Sequence, residues 1–212
     1  MSNSKKLFLE IEAPEFGGKS TLCKLLSEKL PTYKQIRLPG YTELGEKLRE
    51  FLKYEKMGSE ANLGIAYAAH MDAYEKMDPN TNYIIDRALT SCFVYQGILL
   101  EKYTKNKKVF DIFIQSIHDK IVEKYKRIVF YLDIDVDEIF KRRALANRVT
   151  ESTTNKEDLY DNMDRASMQQ LVDAYKYSID QQTKLFPEDD FYQINAKQKP
   201  EQILESVYDK IR

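Results

Sequence analysis

Ile11-Glu12-Ala13-Pro14-Glu15-Phe16-Gly17-Gly18-Lys19-Ser20-Thr21 decides the fold. It lies between a short β-prone run, Leu7–Ile11, and a helical pattern in which Leu22, Leu25, Leu26 and Leu30 recur on one face. Strand, glycine turn and helix in that order make a phosphate-binding loop. Gly17 and Gly18 let backbone N–H groups approach phosphate oxygens, with Phe16 before them and Thr21 behind. Lys19 reaches the β- and γ-phosphates of a nucleotide, and the Ser20 hydroxyl ligates Mg²⁺. The helix N-terminus adds a field that favours the anion. The pattern G-x-x-x-x-G-K-[ST] is broken only at its first glycine, here Ala13, so the half that touches phosphate is intact.

At 212 residues the chain fits one domain, 1–212, and can bury a sizeable core. With 42% hydrophobic and 32% charged residues it has an ordinary soluble balance. A net charge of −1 argues against nucleic acid binding through overall charge, so an anion site has to be local. Cys23 and Cys92 lack metal-like spacing, as do His70 and His118, which predicts reduced thiols, no disulfide and no structural zinc. The N-terminal Met-Ser-Asn-Ser-Lys-Lys leads into an apolar run too short for a signal peptide, and no segment is long enough to span a bilayer. These features predict a soluble, cytoplasmic protein with no membrane partner.

Beyond the loop, strands are expected at Tyr33–Leu38, Tyr83–Ile85, Ile128–Leu132 and Phe191–Ile194. Between them lie helical patterns at about 43–55, with Leu44, Leu48, Phe51 and Leu52 inward, and 59–77, with Leu63, Tyr67 and Met71 inward. Further helices are expected at 89–103 and 109–125, after Asp137 as cap, from near Tyr160, and from Pro200 at the first turn of the last helix. Thr42 follows Pro39-Gly40 and is placed to cap the helix after it. Asp86 ends the third strand and points at the ligand crevice. The basic run 105–108 reads as a solvated turn, and the polar stretch 147–156 as a mobile lid. Five strands alternating with helices behind a P-loop predict an α/β, three-layer α/β/α P-loop fold around a five-stranded parallel sheet.

Several segments, in order, resemble the thymidylate kinase family of nucleoside monophosphate kinases. Ile11–Thr21 resembles F-E-G-x-D-G-x-G-K-[ST]-T, and Arg37–Arg49 resembles R-E-P-G-G-T-x-L-G-E-x-[IL]-R. Asp86-Arg87 with Ser91 and Tyr95-Gln96-Gly97 is similar to D-R-Y-x-x-S-x-x-A-Y-Q-G. The resemblance implies ATP-dependent phosphorylation of a deoxynucleoside 5′-monophosphate, dTMP to dTDP, by positioning and charge neutralisation. It assigns Asp86 to Mg²⁺ beside Ser20, and Arg87 and Arg37 to the acceptor phosphate. Glu15 would accept from the sugar 3′-OH, Tyr95 would lie beneath the sugar, and Tyr41 would donate to the acceptor phosphate. Pro39, Arg49, Ser91 and Gln96 join the substrate-binding set. Because positions 14–17 hold no base, the pattern is the lid-arginine type, with Arg143 or Arg148 closing from a lid at about 143–160. Relatives pair through helices, so a homodimer is expected, supported by the apolar excess around Tyr67, Phe93 and Tyr95.

Where the family has F-x-A-x-R this chain has Ala66-Tyr67-Ala68-Ala69-His70, losing both the stacking ring and the guanidinium that reaches the base. This implies relaxed base selection, unless Tyr67 restores the stack. Two other readings stand beside this one: a deoxynucleoside kinase with Glu12 as base toward a 5′-OH, and a nucleotide-binding protein without catalysis. Asn155-Lys156-Glu157-Asp158 fits N-K-x-D, but it does not follow a strand as a guanine site would need.

Overall fold

The computed structural model describes residues 5–99, 107–147 and 163–212. Five parallel strands form one sheet in the order β2-β3-β1-β4-β5: β1 (Lys6–Glu12), β2 (Lys34–Arg37), β3 (Tyr83–Asp86), β4 (Tyr125–Asp133) and β5 (Asp190–Asn195). The strand order reverses about β1, and the crevice at such a reversal is where α/β sheets bind ligands. The helices are α1 (Lys19–Lys29), α2 (Glu43–Tyr54), α3 (Ser59–Lys76), α4 (Leu89–Cys92), α5 (Lys107–Lys124), α6 (Val136–Asn147), α7 (Arg165–Leu185) and α8 (Pro200–Ile211). This is the three-layer α/β/α arrangement of a P-loop kinase. No helix among the described residues is long and apolar enough to cross a membrane.

The alternation of side chains along a strand divides the core. Leu9 and Ile11 join α1, α7 and α8 in one cluster, while Phe8 joins α3 and α5 in the other. Thr42 caps α2 as its sequence predicts, its Oγ1 accepting from Gly45 N at 2.9 Å. α6 is entered through Asp135, whose Oδ1 accepts from Glu138 N at 2.9 Å, two residues before the Asp137 expected there. Leu44 and Phe51, expected inward, are 45% and 50% exposed. α2 turns Leu52 and Arg49 to a cavity instead of burying a broad apolar stripe. On α3 the buried residues include Leu63, Ala66, Ala69, His70, Ala73 and Tyr74, one position round from Tyr67.

Over its described part, 89–99, the helix expected at 89–103 is two structures. α4 ends at Cys92, and Phe93–Ile98 continues as a π-helical segment, a widening that concentrates at functional sites. Phe93 and Tyr95 are both buried within the chain, so the apolar excess of this segment is satisfied internally. Gly97 lets α5 approach: a Cβ there would lie 2.3 Å from the Phe110 ring. Gly97→Ala is therefore expected to lower stability by about 1–3 kcal/mol through overpacking. Urea unfolding checks this, and an unchanged midpoint would refute the contact. Of the lid expected at 143–160, only 143–147 fall among the described residues, as the end of α6. Arg148 and the N-K-x-D run lie outside them, as do 105–106 of the basic run, whose Lys107 opens α5 and pairs with Asp111 at 2.7 Å.

Candidate active site

β1 delivers the phosphate-binding loop directly to the N-terminus of α1. Gly17 is packed so closely that a Cβ would lie 2.5 Å from that of Ala13, and Gly18 has φ 95°. Phe16 also adopts a left-handed backbone, φ 59°, an outlier of the kind that marks ligand-binding loops. Lys19 is buried, with Nζ donating to the carbonyls of Ala13 at 2.7 Å and Pro14 at 3.0 Å. Burial, with Arg87 nearby, pushes its ammonium down to about 8. Ser20 and Thr21 are exposed at the mouth of a cavity also lined by Phe16, Gly17, Gly18, Lys19, Asp86 and Arg142.

Asp86, at the end of β3, lies with Oδ2 3.4 Å from the Ser20 hydroxyl and 4.0 Å from Arg37 Nε. Its other oxygen is buried and has no hydrogen-bond partner among the described residues. Hydroxyl and carboxylate are the hard oxygen donors that Mg²⁺ prefers, so this pair fits that ion.

Arg87 follows with φ 69° and is the hub of the site. Its NH2 donates to Glu15, and its NH1 donates to the hydroxyls of Tyr175 at 3.0 Å, Tyr95 at 3.3 Å and Ser91 at 3.4 Å. Burial alone would raise the Glu15 carboxyl, but Arg87, Lys19 and Arg37 hold it down to about 2. Tyr175 comes from α7 and belongs to none of the sequence motifs.

A second cavity opens beyond this wall, sharing Glu15, Arg37 and Arg87 with the first. Of the residues that the resemblance assigns to the substrate, Pro39, Arg49, Ala66, His70, Ser91, Tyr95 and Gln96 line it, together with Leu52, Lys53 and Cys92, which the sequence did not single out. Gln96 Nε2 donates to Asn62 at 3.0 Å.

Three expected residues go elsewhere. Tyr67 turns to α5, its ring stacked 4.5 Å from Phe113 and its hydroxyl 3.0 Å from Ser116, so it does not restore the missing stack. The Tyr41 hydroxyl accepts from Lys34 at 3.0 Å, and Tyr41 lines neither cavity. Arg143 donates to the Met163 carbonyl at 2.9 Å, whereas Arg142 faces the loop, with NH1 3.4 Å from the Phe16 carbonyl and Nε on Glu138 at 3.0 Å. Successive helical positions point about 100° apart, so only one of the two can face the loop. The run Lys141-Arg142-Arg143 signalled a cation here without saying which residue would supply it.

Glu12 lies in neither cavity lining. It is fully buried, accepting from Ala88 N at 2.7 Å, Ser91 N at 3.2 Å and the Ser91 hydroxyl at 2.6 Å. Burial and the neighbouring Glu10 push it up to about 7. Its oxygens tie β1 to the start of α4 and are not presented to a substrate hydroxyl.

The family model for thymidylate kinase matches residues 11–186. A thymidylate kinase of Fervidobacterium nodosum is 30% identical over 145 residues, covering 64% of this chain and 71% of the relative. One of Malacoplasma penetrans is 29% identical over 185 residues, covering 80% of this chain and 78% of the relative. Among solved structures, the thymidylate kinase of Candida albicans superposes with TM-score 0.65 at 18% identity, over 100% of this chain and 92% of that one. The deoxyadenosine kinase of M. mycoides with bound dATP gives the same TM-score and identity over 96% and 97%. These two likenesses speak to the fold alone. The family model, matched along most of the length and through the whole site, is decisive: the chain belongs to the thymidylate kinase family, whose members are phosphotransferases acting on nucleoside monophosphates.

Proposed function

We propose that this chain transfers the γ-phosphoryl group of ATP to a deoxynucleoside 5′-monophosphate, dTMP among them, with looser base selection than the usual family motif implies. The observation that carries this is the shared wall of Glu15, Arg37 and Arg87 between a P-loop cavity and a second, mostly apolar one. Donor phosphates would lie on Gly17, Gly18, Lys19 and the α1 N-terminus, and the acceptor phosphate on Arg37 and Arg87, where a guanidinium binds through its fork. Ser20 and Asp86 would hold Mg²⁺, which would supply charge neutralisation on the transferring phosphate. Arg142 takes the role that the sequence assigned to Arg143 or Arg148, contributing positive charge beside the loop. Glu15 and Tyr95 face the sugar, and Ala66 and His70 face the base.

With Ala66 in place of a ring and Tyr67 committed to Phe113, a stacking contribution of roughly 0.5–1.5 kcal/mol is missing. A coupled ADP-release assay with dTMP, dUMP, 5-hydroxymethyl-dUMP, dCMP and dGMP tests both halves of the proposal. Turnover of dTMP is expected, with the 5-substituent weakly discriminated. A preference for dTMP over all the others of about a thousandfold, near 4 kcal/mol, would overturn the loose selection. In the same assay Arg142→Ala is expected to lower kcat by about a hundredfold or more and Arg143→Ala by much less. The reverse order would return the role to Arg143.

Assembly as a homodimer belongs to the same proposal and rests on family resemblance, since Phe93 and Tyr95 are buried within one chain. Light scattering should show about twice the 24.9 kDa chain mass at micromolar concentration. A monomer alone would end that part.

A further inference from the structure

The second cavity contains one imidazole, and its bonding decides what it offers a ligand. His70 lines the cavity at 4% exposure, with Nδ1 3.2 Å from the Tyr74 hydroxyl one helical turn on. Tyr74 is 1% exposed, its ring 6.1 Å from that of Phe8. Its hydroxyl has no other hydrogen-bond partner among the described residues. Burial raises the Tyr74 phenol well above its ordinary value, so it keeps its proton. Burial also pushes His70 down to about 4 against the opposing pull of Glu10, so at neutral pH the ring carries one proton.

Two tautomers fit the 3.2 Å contact, and they differ in cost. If Nδ1 carried the proton, it would donate to the Tyr74 oxygen and leave the phenolic proton buried with no acceptor. If Tyr74 donates to Nδ1, every proton is satisfied and only a spare lone pair on the phenol is unused, the milder deficit. The second arrangement puts the histidine proton on Nε2, the ring nitrogen without a hydrogen-bond partner among the described residues.

We propose that Tyr74 fixes His70 as an Nε2–H donor toward the second cavity, and that this donor selects a base presenting a keto oxygen, uracil or thymine, over cytosine, which presents an amino group there. The selection rests on the cavity being the acceptor-nucleotide site proposed above; the tautomer does not. An uncharged donor of this kind separates keto from amino at position 4 and leaves position 5 unread.

The ¹⁵N spectrum of the histidine side chains in the unliganded protein is the direct test. His118 is the one other histidine, so His70→Ala identifies the signals. A pyrrole-type Nε2 and a pyridine-type Nδ1 at His70 are expected, and the opposite assignment overturns the proposal. The kcat/KM ratio of dUMP to dCMP should be about tenfold or more, the effect of one mismatched hydrogen bond. Tyr74→Phe should collapse that ratio and mix the tautomers while kcat for dUMP holds. A purely structural Tyr74 would lower stability without moving the ratio, and a wild-type ratio near one or below would also overturn the proposal. If no monophosphate is phosphorylated, the function proposed above fails, while the ¹⁵N spectrum and the relative affinity of dUMP and dCMP by calorimetry still decide this one.

Discussion

Lys19→Ala is expected to lower kcat by about a thousandfold, close to 4 kcal/mol in the barrier. The side chain is buried against the Ala13 and Pro14 carbonyls, so it is held in place before any nucleotide arrives. A preorganised, buried charge acts strongly on developing negative charge, and among the described residues no other lysine lines the P-loop cavity. The same burial gives the prediction a pH signature. With the ammonium at about 8 in the free protein, kcat/KM should fall as pH rises through that value and Lys19 loses its proton. Bound phosphates favour the charged form, so kcat at saturation should persist to higher pH. Measured turnover near the unaltered level in Lys19→Ala would remove the catalytic reading altogether.

Arg127→Met is expected to cost about 3–5 kcal/mol of folding free energy, a large share of the roughly 5–15 kcal/mol that holds a typical domain. Arg127 on β4 is fully buried, with Nε on Glu10 at 2.7 Å, NH1 on Asp189 at 2.8 Å and NH2 on Gln182 at 2.9 Å and Thr90 at 3.3 Å. Asp189 also meets His118 Nε2 at 3.0 Å, whose ring stacks 3.7 Å from Phe186. Removing the guanidinium strands two carboxylates in the interior, and that uncompensated burial dominates the loss. Urea unfolding measures it, with Glu10→Gln/Arg127→Met as the companion variant. The double variant should recover part of the loss, and a single variant within 1 kcal/mol of the unaltered protein would contradict the account.

Legibility followed the range of the interactions. The phosphate loop lies within one strand, one turn and one helix, so its residue types suffice to identify it. The Asp86-Arg87 motif is equally local, with Ser91 and Tyr95 on the next turns. Arg142 and Arg143 differ by one position, and charge pattern alone cannot say which way α6 is rotated. The same ambiguity displaced Tyr67 in favour of Ala66 and His70, because packing of α3 on α5 sets the phase. Leu44 and Phe51 looked inward because apolar spacing was counted without knowing that α2 borders a cavity. The Arg127 network was out of reach, since Arg127 and Glu10 are 117 positions apart and only the strand order brings them together. Glu12 could be nominated as a base only while its partners at Ala88 and Ser91 were unknown.

The two cavities draw on different parts of the architecture. Charged groups that would handle phosphate sit at strand ends: Glu15 after β1, Arg37 on β2, Asp86 and Arg87 at the end of β3. The groups that would meet the base stand mainly on α2 and α3, at Leu52, Lys53, Ala66 and His70. Helix residues that line a cavity can be exchanged without disturbing the register of a sheet, whereas strand ends cannot shift without moving their neighbours. The layout therefore makes the choice of nucleobase evolvable separately from the chemistry, and an engineer could diversify those four helical positions as a cassette with the phosphoryl machinery left untouched.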